Sequence, residues 1–270
     1  MQEQRIFSTG LRLALVAMAV IGLYVGHKWL NRTDVNHVDV DPASVARGKA
    51  LAENGRDGVP ACKTCHGANG EGNDEQGFPR LAGLHPKYIA KQLRDFAREP
   101  LDVGVKVDPI SRDYTVTPRI YKDLTVFSPG TRKDPMMNPI AVALSEDEIL
   151  ALADYYTSLA YVASPVPVDF ETLERGQDLA LRGKPEYMLP RCEACHGPDG
   201  EGFGEYFPPL AGQPVNYIVK QISKWQNGER DNDQMSMMKN SANLLTDGDK
   251  INVARYYSNR SFSINEGRAR

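Results

Sequence analysis

The chain has 270 residues, of which 41% are hydrophobic and 25% charged, with a net charge of −3 and only 8% aromatic residues. That length suggests about two domains, and a mildly acidic chain with no strongly basic patch gives no footing for nucleic acid. Twenty-three glycines and 18 prolines leave much of the chain to loops.

The amino terminus is the most apolar part. Leu13 to Gly26 carries no charged or strongly polar side chain, and the window Leu11–Leu30 has the 20 residues that a helix needs to cross a bilayer. Tyr24 and Trp29 suit the far interface. A cleaved signal peptide has a similar apolar core, but the only Ala-x-Ala, Ala17 to Ala19, lies inside the run. Residues 1–38 are therefore expected to be a retained transmembrane anchor with a short polar tether. Arg5 and Arg12 before the span balance Lys28 and Arg32 after it, so charge alone does not orient it.

A first helix opens at Asp41-Pro42, an N-cap followed by proline at the first helical position, and sets Val45, Gly48 and Ala52 on one face. Then comes Cys62-Lys63-Thr64-Cys65-His66, matched far downstream by Cys192-Glu193-Ala194-Cys195-His196; these runs hold all four cysteines. Cys-x-x-Cys-His is the attachment signature of a c-type haem. Each thiol adds to a vinyl group of the macrocycle, and the adjacent histidine is placed to bind iron from one face. Paired Cys-x-x-Cys units of a zinc ribbon lie about 15–20 residues apart, whereas these start 130 apart. Four cysteines in 270 residues are also too few for a disulfide framework. Two covalently bound haem c groups are expected, at Cys62 and Cys65 and at Cys192 and Cys195, with His66 and His196 as axial ligands.

The elements that follow occur twice. Gly70-Glu71-Gly72, Phe78-Pro79 and Leu81-Ala82-Gly83 return as Gly200-Glu201-Gly202, Phe207-Pro208 and Leu210-Ala211-Gly212. A middle helix with Tyr88, Ile89, Gln92 and Phe96 returns with Tyr217, Ile218, Gln221 and Trp225, at an offset of 129. A last helix opens on Ser145-Glu146-Asp147-Glu148, a capping box, and carries Ile149, Leu152 and Tyr156; its match starts at Thr246 and uses Ile251, Ala254 and Tyr257. Tyr155-Tyr156 and Tyr256-Tyr257 are only 101 apart, so the first copy holds 28 extra residues, within about 99–133. There, Val103 to Val107 and Tyr114 to Thr117 alternate with period two, which predicts a small hairpin, either an inert excursion or a dock for a membrane partner. The second copy begins after a stiff Ser164-Pro165-Val166-Pro167 linker with a helix from about Asp169 that carries Phe170, Leu173, Gly176 and Ala180. Gly48 and Gly176 are expected to let the first helix of each copy cross closely over the tyrosines of the last. The domain reading is 1–38, 39–163 and 164–270.

The second axial ligand decides what such an iron does, and methionine thioether raises its potential and suits an electron carrier. Methionines gather on a polar loop before the last helix of each copy: Met136 and Met137, then Met235, Met237 and Met238. Met137 and Met238 both stand eight residues before the helix cap and are the chosen pair; Met136 and Met237 are equally symmetric at nine. His27, His37 and His85 have no counterparts, and His85 is read as a surface residue. The backbone carbonyls of Pro79 and Pro208 are candidates to fix the ligating imidazoles through their other nitrogen.

Taken together, the twin Cys-x-x-Cys-His-Gly sites, the Phe-Pro-x-Leu-Ala-Gly segments, the Tyr-Ile-x-Lys-Gln helices and the Met-Met loops resemble dihaem cytochrome c4 over about residues 41–265. The resemblance implies an all-α fold of two tandem class I cytochrome c domains, here behind one N-terminal transmembrane helix, with His/Met ligation at both irons. It implies an electron carrier rather than an enzyme, passing single electrons from the bc1 complex to a terminal oxidase, often of cbb3 type. Typical members have a cleaved signal, so the retained anchor and the 28-residue insertion are departures. Haem c attachment places the domains in the periplasm, single-pass on a bacterial inner membrane. Two alternatives are a cytochrome subunit of a periplasmic dehydrogenase and a dihaem peroxidase, the latter opposed by methionine-rich loops in both copies.

Overall fold

Packing of short, capped helices around two separate cores organises the computed structural model, which describes residues 40–98, 132–161 and 166–261, the side chain of Gln234 excepted. These residues belong to one compact unit that begins at Val38. The expected span at Leu11–Leu30, the hairpin at 103–117 and the first half of the proline linker lie outside the described residues. Among the described residues no helix is long and apolar enough to cross a membrane. Pairing there is limited to isolated bridges, with no strand.

Each lobe repeats one pattern. In the first, α1 (Pro42–Asn54), α2 (Lys63–His66), α3 (Pro86–Ala97), α4 (Met137–Ala143) and α5 (Glu146–Ser158) follow one another. In the second, α6 (Phe170–Arg182), α7 (Glu193–His196), α8 (Val215–Gln226), α9 (Met237–Asn243) and α10 (Asp247–Ser258) do the same. The starts are those that the sequence announces. Asp41 accepts from the amides of Ala43 and Ser44 ahead of Pro42, and Asp169 caps α6 through Thr172. Ser145 with Glu148, and Thr246 with Asp249, close full capping boxes. His85, expected on the surface, is half-buried and works as the N-cap of α3, its ring accepting from the Lys87 amide.

The last helix is the hub: α1 and α3 pack on α5, and α6 and α8 pack on α10. One core gathers Ala52, Ile89, Leu93, Leu152 and Tyr156; the other gathers Ala180, Ile218, Ile222, Val253 and Tyr257. Gly48 and Gly176 make the crossings possible. A Cβ at Gly48 would overlap the Ala151 carbonyl oxygen and press on Tyr155, and one at Gly176 would overlap the Asn252 oxygen and press on Tyr256. The expected crossing glycines are therefore found, against Tyr155 and Tyr256 rather than their neighbours.

Two sequence expectations fail on register. Ile251, matched to Ile149, is 43% exposed, and the offset of 101 pairs Ile149 with Lys250 instead. Lys250 is buried with its ammonium paired to Asp247 at 2.7 Å and donating to Ser223 Oγ and Gln226 Oε1, both at 2.9 Å. Phe170, placed on the inner face of α6, is 77% exposed. It is the first residue of the helix, nearly two turns before the buried stripe at Gly176, Leu179 and Ala180.

A polar seam joins the lobes. Arg80 is fully buried there and donates through Nη1 to the Ala82 carbonyl and through Nη2 to the Ala211 carbonyl at 2.9 Å. Those two alanines are equivalent by the repeat. Gln213 returns two bonds of 3.1 Å to the Arg80 backbone, and the Tyr161 ring lies 4.1 Å from its guanidinium.

Candidate functional site

Each Cys-x-x-Cys-His run forms a single helical turn, α2 and α7, which lays its cysteines and histidine along one cavity. The first cavity, about 200 Å³, is lined by Cys62, Cys65, His66, Pro79, Met137 and Tyr156 among others. The second, about 420 Å³, is lined by Cys192, Cys195, His196, Pro208, Met238 and Tyr257 among others. Leu84, Tyr88, Gln92, Tyr217 and Gln221 line both. The two cavities thus share a wall at the seam.

The histidines are prepared as ligands. His66 and His196 are buried, and their Nδ1 atoms lie 3.0 Å and 2.9 Å from the carbonyl oxygens of Pro79 and Pro208. A carbonyl can only accept, so Nδ1 carries the proton and Nε2 presents its lone pair. Burial lowers both imidazole pKa values, the proline carbonyls only partly opposing it, and this keeps the rings neutral as ligation requires. The proline carbonyls expected to orient the rings do so. Their position follows from the tight return of each loop, in which Gly72 donates to the His66 carbonyl and Gly202 to that of His196.

The cysteines are unpaired in the folded chain. Burial raises the Cys62 thiol and pushes that of Cys192 up to about 12. Neither of these two is a ready thiolate.

The methionine clusters lie differently from the loop expected for them, because Met137 and Met237 are the first residues of short helices, α4 and α9. Asp134 accepts from the amides of Met136 and Met137, and Asp233 from those of Met238 and Lys239, which starts a helical turn. Met137 and Met238 are half-buried and pack on the two cores. Met136 is 49% exposed, Met237 37% and Met235 77%. Each cavity therefore combines two thiols, a neutral imidazole with a free Nε2, the thioethers of Met136 and Met137 or of Met237 and Met238, and a largely aliphatic and aromatic wall. That donor set fits a covalently attached haem with nitrogen and sulfur available to iron.

Sequence reasoning passed over the charged residues of the seam: Arg80, Arg132 and Arg230. The repeated Gln92 and Gln221 hinted at a shared polar wall. Nothing in the repeat marked the arginines, since Arg80 is matched by Pro209 and Arg132 closes the insertion.

Comparison with known proteins agrees with covalently bound haem c. The cytochrome c family profile matches residues 45–160. A thiosulfate dehydrogenase electron acceptor of Stutzerimonas stutzeri (strain A1501) is 38% identical over 206 residues, 74% of this chain and 78% of that protein. A cytochrome c4 of Thiocapsa roseopersicina is 31% identical over 198 residues, 72% of this chain and 84% of that protein. Among solved structures, the thiosulfate dehydrogenase TsdBA of Marichromatium purpuratum matches with a TM-score of 0.64 and 33% identity, covering 80% of this chain but only 40% of that one.

Proposed function

Because this chain belongs to the dihaem cytochrome c4 family, we propose that its two haems relay single electrons from a periplasmic dehydrogenase of the thiosulfate-oxidising class into a respiratory chain. The chain carries two covalently bound haem c groups, and electron transfer is its activity. Covalent haem c supplies reversible one-electron chemistry at iron. The observation that carries the relay reading is the wall common to both cavities, which sets two redox sites side by side.

The chain's own residues then have defined tasks. Cys62, Cys65, Cys192 and Cys195 form the thioether attachments. His66 and His196 would ligate iron through Nε2, steered by the Pro79 and Pro208 carbonyls. Met137 and Met238 would supply the sulfur donors to iron, as the methionines that pack on the cores. Thioether ligation and an aliphatic surround would both favour the reduced state, and a sulfur donor on each iron would oppose peroxide chemistry. The donor class is supported by likeness to an electron acceptor of thiosulfate dehydrogenase and to part of TsdBA. The chain spans 40% of the latter, so thiosulfate oxidation itself would be the work of a partner. The apolar run Leu11–Leu30 supports a membrane tether with the haem lobes in the periplasm, which would raise the effective concentration of carrier near its partners.

A second reading, transfer from the bc1 complex to a cbb3-type oxidase, follows from the cytochrome c4 likeness. Stopped-flow reduction separates the two. Thiosulfate with a catalytic amount of thiosulfate dehydrogenase is expected to reduce both haems rapidly. No reduction by that couple, with rapid reduction by quinol and bc1 complex, would transfer the assignment to the second reading. Fractionation of cells expressing the full chain, and a chain lacking residues 1–38, tests the tether: recovery of both in the soluble fraction rejects it.

A further inference from the structure

The turn that presents the methionines is built differently in the two lobes. In the first, Asp134 stands three residues before Met137; in the second, Asp233 stands five before Met238. Each aspartate still accepts from the amide of its methionine, at 3.1 Å and 2.5 Å. The second turn must therefore fold two extra residues back on themselves, and it does so through Met235 at φ 53° and Ser236 at φ 54°. Both lie in the left-handed region, which is unfavourable for any residue with a Cβ. Among the described residues no other two neighbouring non-glycine residues share that conformation. The first lobe shows the relaxed alternative: Met136 has φ −88°, and no residue of that turn is left-handed.

The strained turn is also the less restrained one. Asp134 uses both carboxylate oxygens, Oδ1 for the amides of Met136 and Met137 and Oδ2 for the Lys224 ammonium at 3.0 Å. Asn138 ties the same turn down, accepting from the Asp134 amide and donating to the carbonyls of Phe96 and Arg132. Asp233 has the amides of Met238 and Lys239 on Oδ2, while its Oδ1 is buried without a hydrogen-bond partner. An acceptor left in that state favours any rearrangement that brings it a donor. Ser236, the N-cap of α9, makes no side-chain capping bond. Backbone strain and an unmet acceptor thus coincide in the turn that carries Met238, and Asp233 and Met238 both line the second cavity.

We propose that the turn from Asp233 to Met238 is a two-state ligand switch: its strained state presents the Met238 sulfur to the second iron, and its relaxed state withdraws it. Met137, on an unstrained and fully bonded turn, stays fixed. This deepens the histidine and methionine ligation proposed above and rests on it. In the exchange the iron–sulfur bond breaks with both electrons staying on sulfur, and a small neutral nitrogen donor brings its own lone pair to the position, so no oxidant or reductant is consumed. Thioether ligation raises a haem potential, so withdrawal lowers that of the second haem alone and gives the relay a gate at one end.

Imidazole, titrated into the full, haem-loaded and oxidised chain, tests the switch through loss of the sulfur-to-iron charge-transfer band. Haem content is first counted by pyridine haemochrome absorbance. Fewer than two haems per chain, or no such band before imidazole is added, would overturn the ligation reading and the switch with it. With both in place, half of the band is expected to disappear at an imidazole concentration about tenfold below that which removes the other half, the order set by one left-handed residue. M238A is expected to lack the sensitive half from the outset. Glycine takes a left-handed φ without penalty, so the double variant M235G/S236G is expected to move the sensitive half about tenfold higher and leave the resistant half where it was. M235A keeps a Cβ and is expected to titrate like the unsubstituted chain, which separates strain from loss of the Met235 sulfur. A single phase in the unsubstituted chain overturns the proposal. So does a glycine variant whose sensitive half stays put, or an M238A variant that retains it.

Discussion

Adjacent methionines with different surroundings set the terms at the scale of single residues. In each lobe the aspartate that starts the short helix, Asp134 or Asp233, turns one methionine onto the core and leaves its predecessor at the surface. Replacing Met137 or Met238 with alanine is therefore expected to abolish the sulfur-to-iron charge-transfer band of the corresponding oxidised haem and to lower its potential. Replacing Met136 or Met237 is expected to leave the band intact; loss of the band in those variants would reverse the assignment. Spacing from the helix cap favoured this pair only weakly in the sequence. The fold adds that Met137 and Met238 pack on the cores while Met136 and Met237 are more exposed, with all four lining the cavities. Met188 makes a related point. It holds a left-handed φ of 59° with its side chain 86% exposed, at the position where the first lobe has Gly58.

Individual elements obey two opposing terms that can be ranked. Alanine at Gly48 would gain about 1 kcal/mol of helix propensity, but its Cβ would overlap a backbone carbonyl of α5, which cannot swing aside. Overpacking of this kind costs about 1–3 kcal/mol, occasionally more. G48A and G176A are thus expected to lower the thermal midpoint by several degrees in calorimetry; an unchanged or raised midpoint would contradict the close crossing. The start of α5 has an acid-dependent part. Arg56 Nε and Nη2 each donate to Glu148 at 2.6 Å, and with the Ser145 amide they hold the Glu148 carboxyl at about 2, below its ordinary 4.5. A depressed carboxylate contributes stability above pH 4.5 that is lost as pH falls toward 2. The pair is solvent-exposed, so the effect is small. In a series of thermal midpoints against pH, E148Q is expected to be flatter than the unsubstituted chain between 4.5 and 2; parallel curves would remove the ion pair from the acid response.

At the scale of the whole molecule, the seam rather than either core makes one unit of two lobes. Arg80 supplies donors to equivalent carbonyls on both sides, and substitution by leucine leaves the Ala82 and Ala211 oxygens buried without them. Such acceptors cost about 1–3 kcal/mol each. R80L is expected to split denaturant unfolding of the haem-loaded protein into two transitions as the lobes lose their coupling. A single transition at the original midpoint would place that coupling elsewhere.

By itself the sequence determined what is written locally or repeated. The haem attachment turns, the N-caps at Asp41, Asp169, Ser145 and Thr246, the crossing glycines and the imidazole-orienting prolines all follow from short-range chemistry, and the second copy checks each. The tertiary structure alone decided what depends on contact between the copies: the wall common to both cavities, the buried Arg80, the hydrogen bonds of Arg132 and Arg230 across the seam, and the burial of Lys250 in place of an aliphatic side chain. The physical reason is that caps and turns are satisfied within a few residues, whereas the buried arginines of the seam find their oxygen atoms mostly on distant parts of the chain. No repeat or spacing records that meeting.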